Sequence, residues 1–281
     1  MTLPALLPYA VFAIVPMLWL LRYSFFRWNG FTEPTFIGFA NYGRMLHDPV
    51  WWASVLHTLE FGAGRLVIEI PLALALAWAL YRGVRASLVY RTVYFLPQVL
   101  SPAVVGVVFA YFLQQVGGPA NGILRAVRLV TAPVDFLGTP LHAMLSLIGV
   151  GVWLHFGLNT LLFLAGMSTI PRSTVESAEL DGASQPQILR HVVVPQMRPI
   201  MRVVVLVYIV GILRSFDLVK TLTNGGPYGS TDIMFTYVYD FFFDPNGIPQ
   251  VGYASALGVS ASLVVAAVSL LYMLLSRRPG K

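Results

Sequence analysis

An all-α polytopic membrane protein is the fold class this sequence predicts, and three observations carry it. Hydrophobic residues make up 57% of the 281-residue chain and charged residues 11%, with mean hydropathy +0.73. An ordinary soluble domain carries about 25% charged residues, and a soluble chain could not keep this much apolar area from water. Six apolar runs each approach or exceed the roughly 20 residues a helix needs to cross a hydrocarbon core. No series of short alternating segments, the mark of a membrane β-barrel, accompanies them. The same numbers exclude disorder, collagen and coiled coil. With no cysteine, disulfides, Fe–S clusters and Cys-ligated zinc are excluded as well.

The spans are expected at about Leu3–Leu21, Ser54–Leu80, Val93–Leu113, Leu141–Met167, Ile200–Leu218 and Tyr253–Leu275, in one domain covering residues 1–281. The first run lacks a charged n-region and an A-x-A-like exit, so it does not read as a cleavable signal peptide. Pro97 and Pro102 lie inside the third run, where neighbouring helices can satisfy the freed carbonyls of a kink. The sixth carries Ala254, Gly258, Ser262 and Ala266 at a four-residue spacing, a small-residue ridge for an internal helix contact or another subunit. The net charge of +6 rests almost wholly on arginine, since only Lys220 and Lys281 are lysines. Arg82, Arg85 and Arg91 follow span two; Arg172, Arg190, Arg198 and Arg202 follow span four; Arg277, Arg278 and Lys281 end the chain. These outnumber the basic residues of the opposite loops, which places both termini on the cytoplasmic side of the cell membrane. Arg22 and Arg27 after span one run against this rule. Either the downstream loops dominate, or a basic segment precedes Met1. On a membrane protein such a charge excess does not imply nucleic acid.

The stretch from Pro171 to Pro199 is unlike the other loops. Ser173 and Glu176 form an S-x-x-E pattern that predicts a helix start near Thr174. Asp181-Gly182 predicts its end. Ser184 can cap a second helix with Pro186 in its first turn, and Pro195 and Pro199 are expected to limit or bend it before span five. The result is an exposed helix–turn–helix, either docked by a soluble partner or lying passively on the surface.

The motifs make a resemblance specific. Glu176-Ser177-Ala178, Gly182, Val192 and Val194-Pro195 match, at every spacing, the E-A-A…G…I-x-L-P cytoplasmic signature of permease subunits of binding-protein-dependent ABC importers. Asp181-Gly182-Ala183 matches their D-G-A. Pro186 stands where an aromatic is frequent. Thr223-Asn224-Gly225-Gly226-Pro227 with Ser230-Thr231 and Tyr237-Val238-Tyr239 resembles a T-G-G-G-P…T…Y-x-Y segment. Gly252-Tyr253-Ala254-Ser255-Ala256 and Gly38-Phe39-Ala40-Asn41-Tyr42 resemble two further segments of the carbohydrate-uptake class, that of the maltose and glycerol-3-phosphate first permeases. The resemblance implies a sugar permease that pairs with a second permease, two ATPase subunits and an extracytoplasmic solute-binding protein. It implies that Glu176, Ala178, Asp181, Gly182, Ala183 and Pro195 belong to the coupling loop that seats on the ATPase. The Gly225-Gly226-Pro227 turn is expected to face the solute receptor, and the aromatics at 239–243 to pack at the membrane surface. The chain has no G-x-x-x-x-G-K-[ST] loop, so ATP and Mg are expected on the partner ATPase, with no cofactor in this chain.

Ionisable residues inside spans are functional candidates by default. Arg65 and Glu69 share a helix face and either neutralise each other or contact the pathway. Trp153, His155, Phe156 and Asn159 in span four, with Tyr208 in span five, supply the hydrogen bonds and apolar rings a sugar needs. Asn159 and His155 serve equally as helix–helix hydrogen-bond partners. Arg214 and Asp217 are expected to pair. The histidines show no ligand spacing, so no metal site is expected, and no nucleophile–base set suggests catalysis. A secondary transporter or membrane-embedded enzyme is the alternative, without an apparent ion site or internal repeat for the former.

Overall fold

The protein, seen in a computed structural model, is described for residues 8–83, 87–243 and 247–276. Arg85, Arg277, Arg278, Lys281, Asp244-Pro245-Asn246 and the start of the first expected span lie outside the described residues. In chain order the elements are α1 (Ala10–Tyr23), the strands β1 (Phe26–Arg27) and β2 (Thr35–Phe36), α2 (Ala40–Leu46), α3 (Pro49–Tyr81), α4 (Ser87–Val99), α5 (Pro102–Phe112), α6 (Pro119–Ala126), α7 (Pro140–Met167), α8 (Arg172–Leu180), α9 (Gln185–Leu213), α10 (Asp217–Leu222), α11 (Met234–Phe242) and α12 (Val251–Ser276). β1 and β2 pair antiparallel, Phe26 opposite Phe36.

Among the described residues four helices, α3, α7, α9 and α12, are long and apolar enough to cross a membrane, and the described part of α1 is apolar but shorter. The third expected span is not one crossing helix. Val93–Val99 and Pro102–Phe112 meet at 108°. Ser101 is extended (ψ 128°) ahead of Pro102, the conformation a proline imposes on its predecessor. The fifth expected span is also displaced. It begins at Gln185 rather than Ile200 and stops at Leu213 rather than Leu218. Pro195 and Pro199 do not end it. One wider π turn, Leu189–Val193, precedes Pro195 and accommodates the proline ring while the helix continues. Because the chain turns between α9 and α10, Arg214 and Asp217 do not share a helix face. They form no ion pair, and Lys220 pairs with Asp240 instead, at 2.5 Å. The stretch between α10 and α12 also holds a regular helix, α11, where Tyr237 packs on Phe241, Phe241 on Tyr253 of α12 and Tyr239 on Phe216.

The 33-residue α3 is about 50 Å long and organises the rest. Asp48 caps its start. Its Oδ1 accepts from the Val50 and Trp51 amides, with Pro49 at the first helical position. Its Oδ2 accepts from the hydroxyls of Tyr237 and Tyr253, each at 2.7 Å. Burial alone would raise the Asp48 pKa. The hydrogen bonds from Tyr253, Tyr237, Trp51 and Val50 together outweigh it and hold the carboxyl below its usual range. Nearby, Asn41 Nδ2 donates to the carbonyls of Ser24 and Phe26, tying the hairpin to α2. Gly252 lies so close to β1 that a β-carbon there would stand 1.9 Å from the Phe26 carbonyl oxygen.

The ridge on α12 divides. Ala254 and Gly258 are buried, the latter facing Leu20 of α1, whereas Ser262 and Ala266 are exposed. Another close crossing joins α4 to α7 at Gly157, where an added β-carbon would stand 2.2 Å from the Tyr94 carbonyl oxygen. Gly157→Ala is therefore expected to lower stability by about 1–3 kcal/mol. Gly43→Ala, at an open position inside α2, is expected to raise it slightly, by no more than about 1 kcal/mol. Thermal midpoints of the two purified variants in detergent decide the matter. Equal midpoints would remove the steric argument.

Candidate functional site

Two places in the fold gather the residues singled out from the sequence. The first is a buried polar network midway along α3. Arg65 Nη2 donates to Glu69 Oε2 at 2.9 Å, and the two side chains are 2% and 0% exposed. They lie one turn apart, as their spacing predicts. Glu69 has two further partners from other helices. Asn159 Nδ2 on α7 donates to its Oε1 at 2.6 Å, and Tyr208 Oη on α9 donates to its Oε2 at 2.9 Å. Arg65 lies over the rings of Phe61 and Tyr208, at 5.4 and 5.6 Å. Gly151 of α7 leaves room for the guanidinium, since a β-carbon there would stand 2.9 Å from Arg65 Cδ.

The other pathway candidates lie around this network with different surroundings. His155 Nδ1 lies 3.0 Å from the Gly151 carbonyl, one turn back on α7. Phe156 packs against Tyr94, with ring centroids 6.3 Å apart. Trp153 is 39% exposed and packs on Phe109 along a mostly apolar cavity of about 520 Å³ between α5 and the first half of α7. Asn159 and Tyr208 are buried and commit their polar groups to Glu69. The hub role of Glu69 was not visible in the sequence. Its partners stand 90 and 139 residues away.

The second place is the helix–turn–helix of α8 and α9. α8 starts at Arg172 after Pro171, with no side-chain cap. The Ser173–Glu176 capping box expected from the sequence does not form, because Pro171, extended at ψ 129°, sets the start two residues earlier. The end is as read. Gly182 has φ +80°, its amide bonds the Glu179 carbonyl, and the Ala183 amide bonds Ala178. This is a Schellman closure, which favours glycine at its left-handed position. Ser184 opens α9, and its amide and hydroxyl both donate to Gln187 Oε1. Val175 is the buried anchor of α8. It belongs to one buried apolar cluster with residues of α3, α7 and α9, among them Trp78, Met167 and Ile188. Glu176, Leu180 and Asp181 are exposed, Leu180 at 89%. Ala178 and Ala183 are half-buried against the same cluster, and Pro195 is half-buried on α9. Glu179 forms the ion pair with Arg82 at the end of α3 and accepts from Gln185 Nε2 at 3.2 Å. Those hydrogen bonds, Gln185 first, hold its carboxyl below the usual range.

The Gly225-Gly226-Pro227 turn lies at the opposite end of the helices. Asn224, Gly225, Tyr228 and Gly229 all have positive φ, and the Gly226–Pro227 peptide is cis. Buried Thr231 donates to the Gly226 carbonyl at 2.6 Å and lies 2.8 Å from the Thr223 hydroxyl. Tyr228 projects from the tip, 97% exposed. Among the described residues no cluster of His, Asp and Glu could hold a metal.

The polar network makes its own stability prediction. Glu69→Leu leaves Arg65 buried without its carboxylate, which is expected to cost about 3–5 kcal/mol. The double variant Arg65→Met/Glu69→Leu is expected to be milder than Glu69→Leu alone. Thermal midpoints of the parent chain, Glu69→Leu, Arg65→Met and the double variant check this. A double variant as unstable as the sum of the two single changes would show that the pair does not act as a unit.

Residues 69–281 match the family described as binding-protein-dependent transport system inner membrane component. The chain is 32% identical over 273 residues to the "Probable ABC transporter permease protein YurN" of Bacillus subtilis (strain 168), covering 96% of this chain and 92% of that protein. It is 31% identical over 269 residues to the "Multiple sugar-binding transport system permease protein MsmF" of Streptococcus mutans, covering 95% and 91%. In fold it is similar to a chain of a bacterial alginate ABC transporter, crystallised with an alginate pentasaccharide-bound periplasmic protein. The TM-score is 0.84 at 22% identity, over 99% of this chain and 93% of that one. With three quarters of its length in the family match and relatives aligned almost end to end, the chain belongs to the inner membrane components of binding-protein-dependent transport systems.

Proposed function

We propose that this chain is one half of the translocation pathway of an ATP-driven importer for a sugar or sugar derivative. A second, similar permease supplies the other half. Two separate ATPase subunits hold ATP and Mg, and an extracytoplasmic solute-binding protein delivers the substrate. The observation that carries this reading is α8. It is a rigidly terminated helix seated by Val175 where α3, α7 and α9 converge, with Glu176, Leu180 and Asp181 turned outward. A nearly bare leucine between two carboxylates fits a protein groove better than water. Relatives named as permeases of sugar transport systems support the substrate class.

The Arg82, Arg172, Arg190 and Arg198 side of the fold is then cytoplasmic, and both termini lie there. The Asp48 end, with hairpin, α11 and the Gly225–Gly229 turn, faces the solute-binding protein. Closure of the ATPases pushes α8, and through it the inner ends of α3, α7 and α9. The cavity beside Trp153 is the part of the candidate pathway open to a ligand, while Asn159 and Tyr208 act by fixing Glu69.

Gly182→Asp and Glu176→Lys are expected to abolish ATP-driven uptake while membrane insertion persists. The first strains the left-handed turn and the second reverses the charge on the docking face. Uptake by proteoliposomes of the assembled transporter measures this, and normal uptake with both variants would sink the coupling role of α8.

At the opposite end, Gly225→Ala/Gly226→Ala is expected to weaken binding-protein-stimulated ATP hydrolysis more than basal hydrolysis. Gly225 has φ +79°, and a β-carbon there would stand 3.2 Å from the Asp232 carboxyl carbon. Equal loss of both rates would indicate misfolding, and no loss would remove this turn from the docking surface.

A further inference from the structure

The helix α8 is held by little. Its apolar hold is one buried side chain, Val175, with Ala178 half-buried beside it. A nine-residue helix on so narrow a seat can rock about Val175, and rocking would dissipate a push before it reached the membrane. One polar contact opposes that motion. Glu179 stands one turn after Val175, accepts from Gln185 at the start of α9, and pairs with Arg82 at the end of α3. Arg82 is itself steadied on α3, its guanidinium 5.9 Å from the ring of Trp78 one turn earlier. Among the described residues this is the only ion pair between α8 and a membrane-spanning helix. From Arg82 the helix α3, continuous past the interior Pro71, runs 13 residues, about 20 Å, to Glu69, where Asn159 of α7 and Tyr208 of α9 converge.

We propose that the Arg82–Glu179 pair is a strut that transmits the displacement of α8 into α3, and so into the buried Glu69 network. This rests on the coupling role proposed for α8. Both residues are positioning residues that touch neither substrate nor nucleotide. An exposed ion pair contributes little to stability, so its loss uncouples the machine without unfolding it. In the sequence Glu179 is one of three carboxylates of this loop amid arginines, without an assigned partner. Glu179 is outside the matched signature positions, and Arg82 reads as one more topology-setting charge.

The test is a charge swap in the complete transporter, with substrate taken up per ATP hydrolysed as the readout and thermal midpoints measured alongside. Arg82→Glu and Glu179→Arg are each expected to lower that ratio several-fold with little change in midpoint. The double variant Arg82→Glu/Glu179→Arg is expected to restore it. Arg82→Gln, which removes the charge without reversing it, is expected to give a smaller loss. Wild-type ratios in both single variants would overturn the strut. So would single defects that the double variant does not rescue, since these would place the damage on the ATPase surface. The unmodified chain serves as the reference. If it supports no uptake coupled to ATP hydrolysis, the coupling role itself is lost, an outcome distinct from failure of the swap.

Discussion

One carboxylate, Glu69, holds the membrane part of this protein in register. It is fully buried, and its partners come from its own helix, from α7 and from α9. A carboxylate in an apolar interior is tolerable only when a cation and hydrogen-bond donors replace its hydration. Arg65, Asn159 and Tyr208 do that together, so none is dispensable to the others. Apolar helices slide over one another with little directional preference, because lipid and leucine are alike in polarity. A charged knot with defined donors selects one rotation and one depth for each helix. The fit of Phe61 and Gly151 against Arg65 then follows from that choice.

Asp48 plays the corresponding part at the other end of α3. Its two oxygens cap the helix and gather the hydroxyls of α11 and α12. Asn41 fastens the hairpin beneath, and Gly252 lets α12 start against β1. The family-like segments at 38–42 and 252–256 are thus fasteners of one assembly at the Asp48 end of α3. Their chemistry is structural at the level of single contacts.

Much of this was legible in the sequence and some was not, for physical reasons. The apolar runs located α3, α7 and α12 to within a few residues, because a membrane demands length and hydropathy and little else. The Arg65–Glu69 spacing revealed a pair, since both lie on one helix. The third and closing partners did not show, because contacts over 90 residues and more leave no local trace. Ser101-Pro102 read as a kink where the chain bends by 108°. Hydropathy continues across such a break even though the backbone does not. The S-x-x-E pattern misplaced the start of α8 because an extended proline two residues earlier fixed it first. The Gly182 stop was secure, since a positive φ is a strong demand on residue type.

The two ends of α3 are held in unlike ways, and that difference bears on how the protein can move. The Asp48 end is bound by hydrogen bonds from α2, α11, α12 and the hairpin. The Arg82 end has one buried anchor, an exposed ion pair, and an α9 whose first turns contain a π turn and two prolines. A π turn and proline positions weaken the hydrogen-bond ladder locally. The Arg82 end of α3 is therefore held more loosely than its Asp48 end. By the same measure α3 is weakened at one point, Pro71, two residues past Glu69. The Glu69 network lies between these two ends, with partners on α3 and α9. It is the point at which relative motion of α3 and α9 must either be carried as a unit or broken, and its burial and charge pairing favour carrying it.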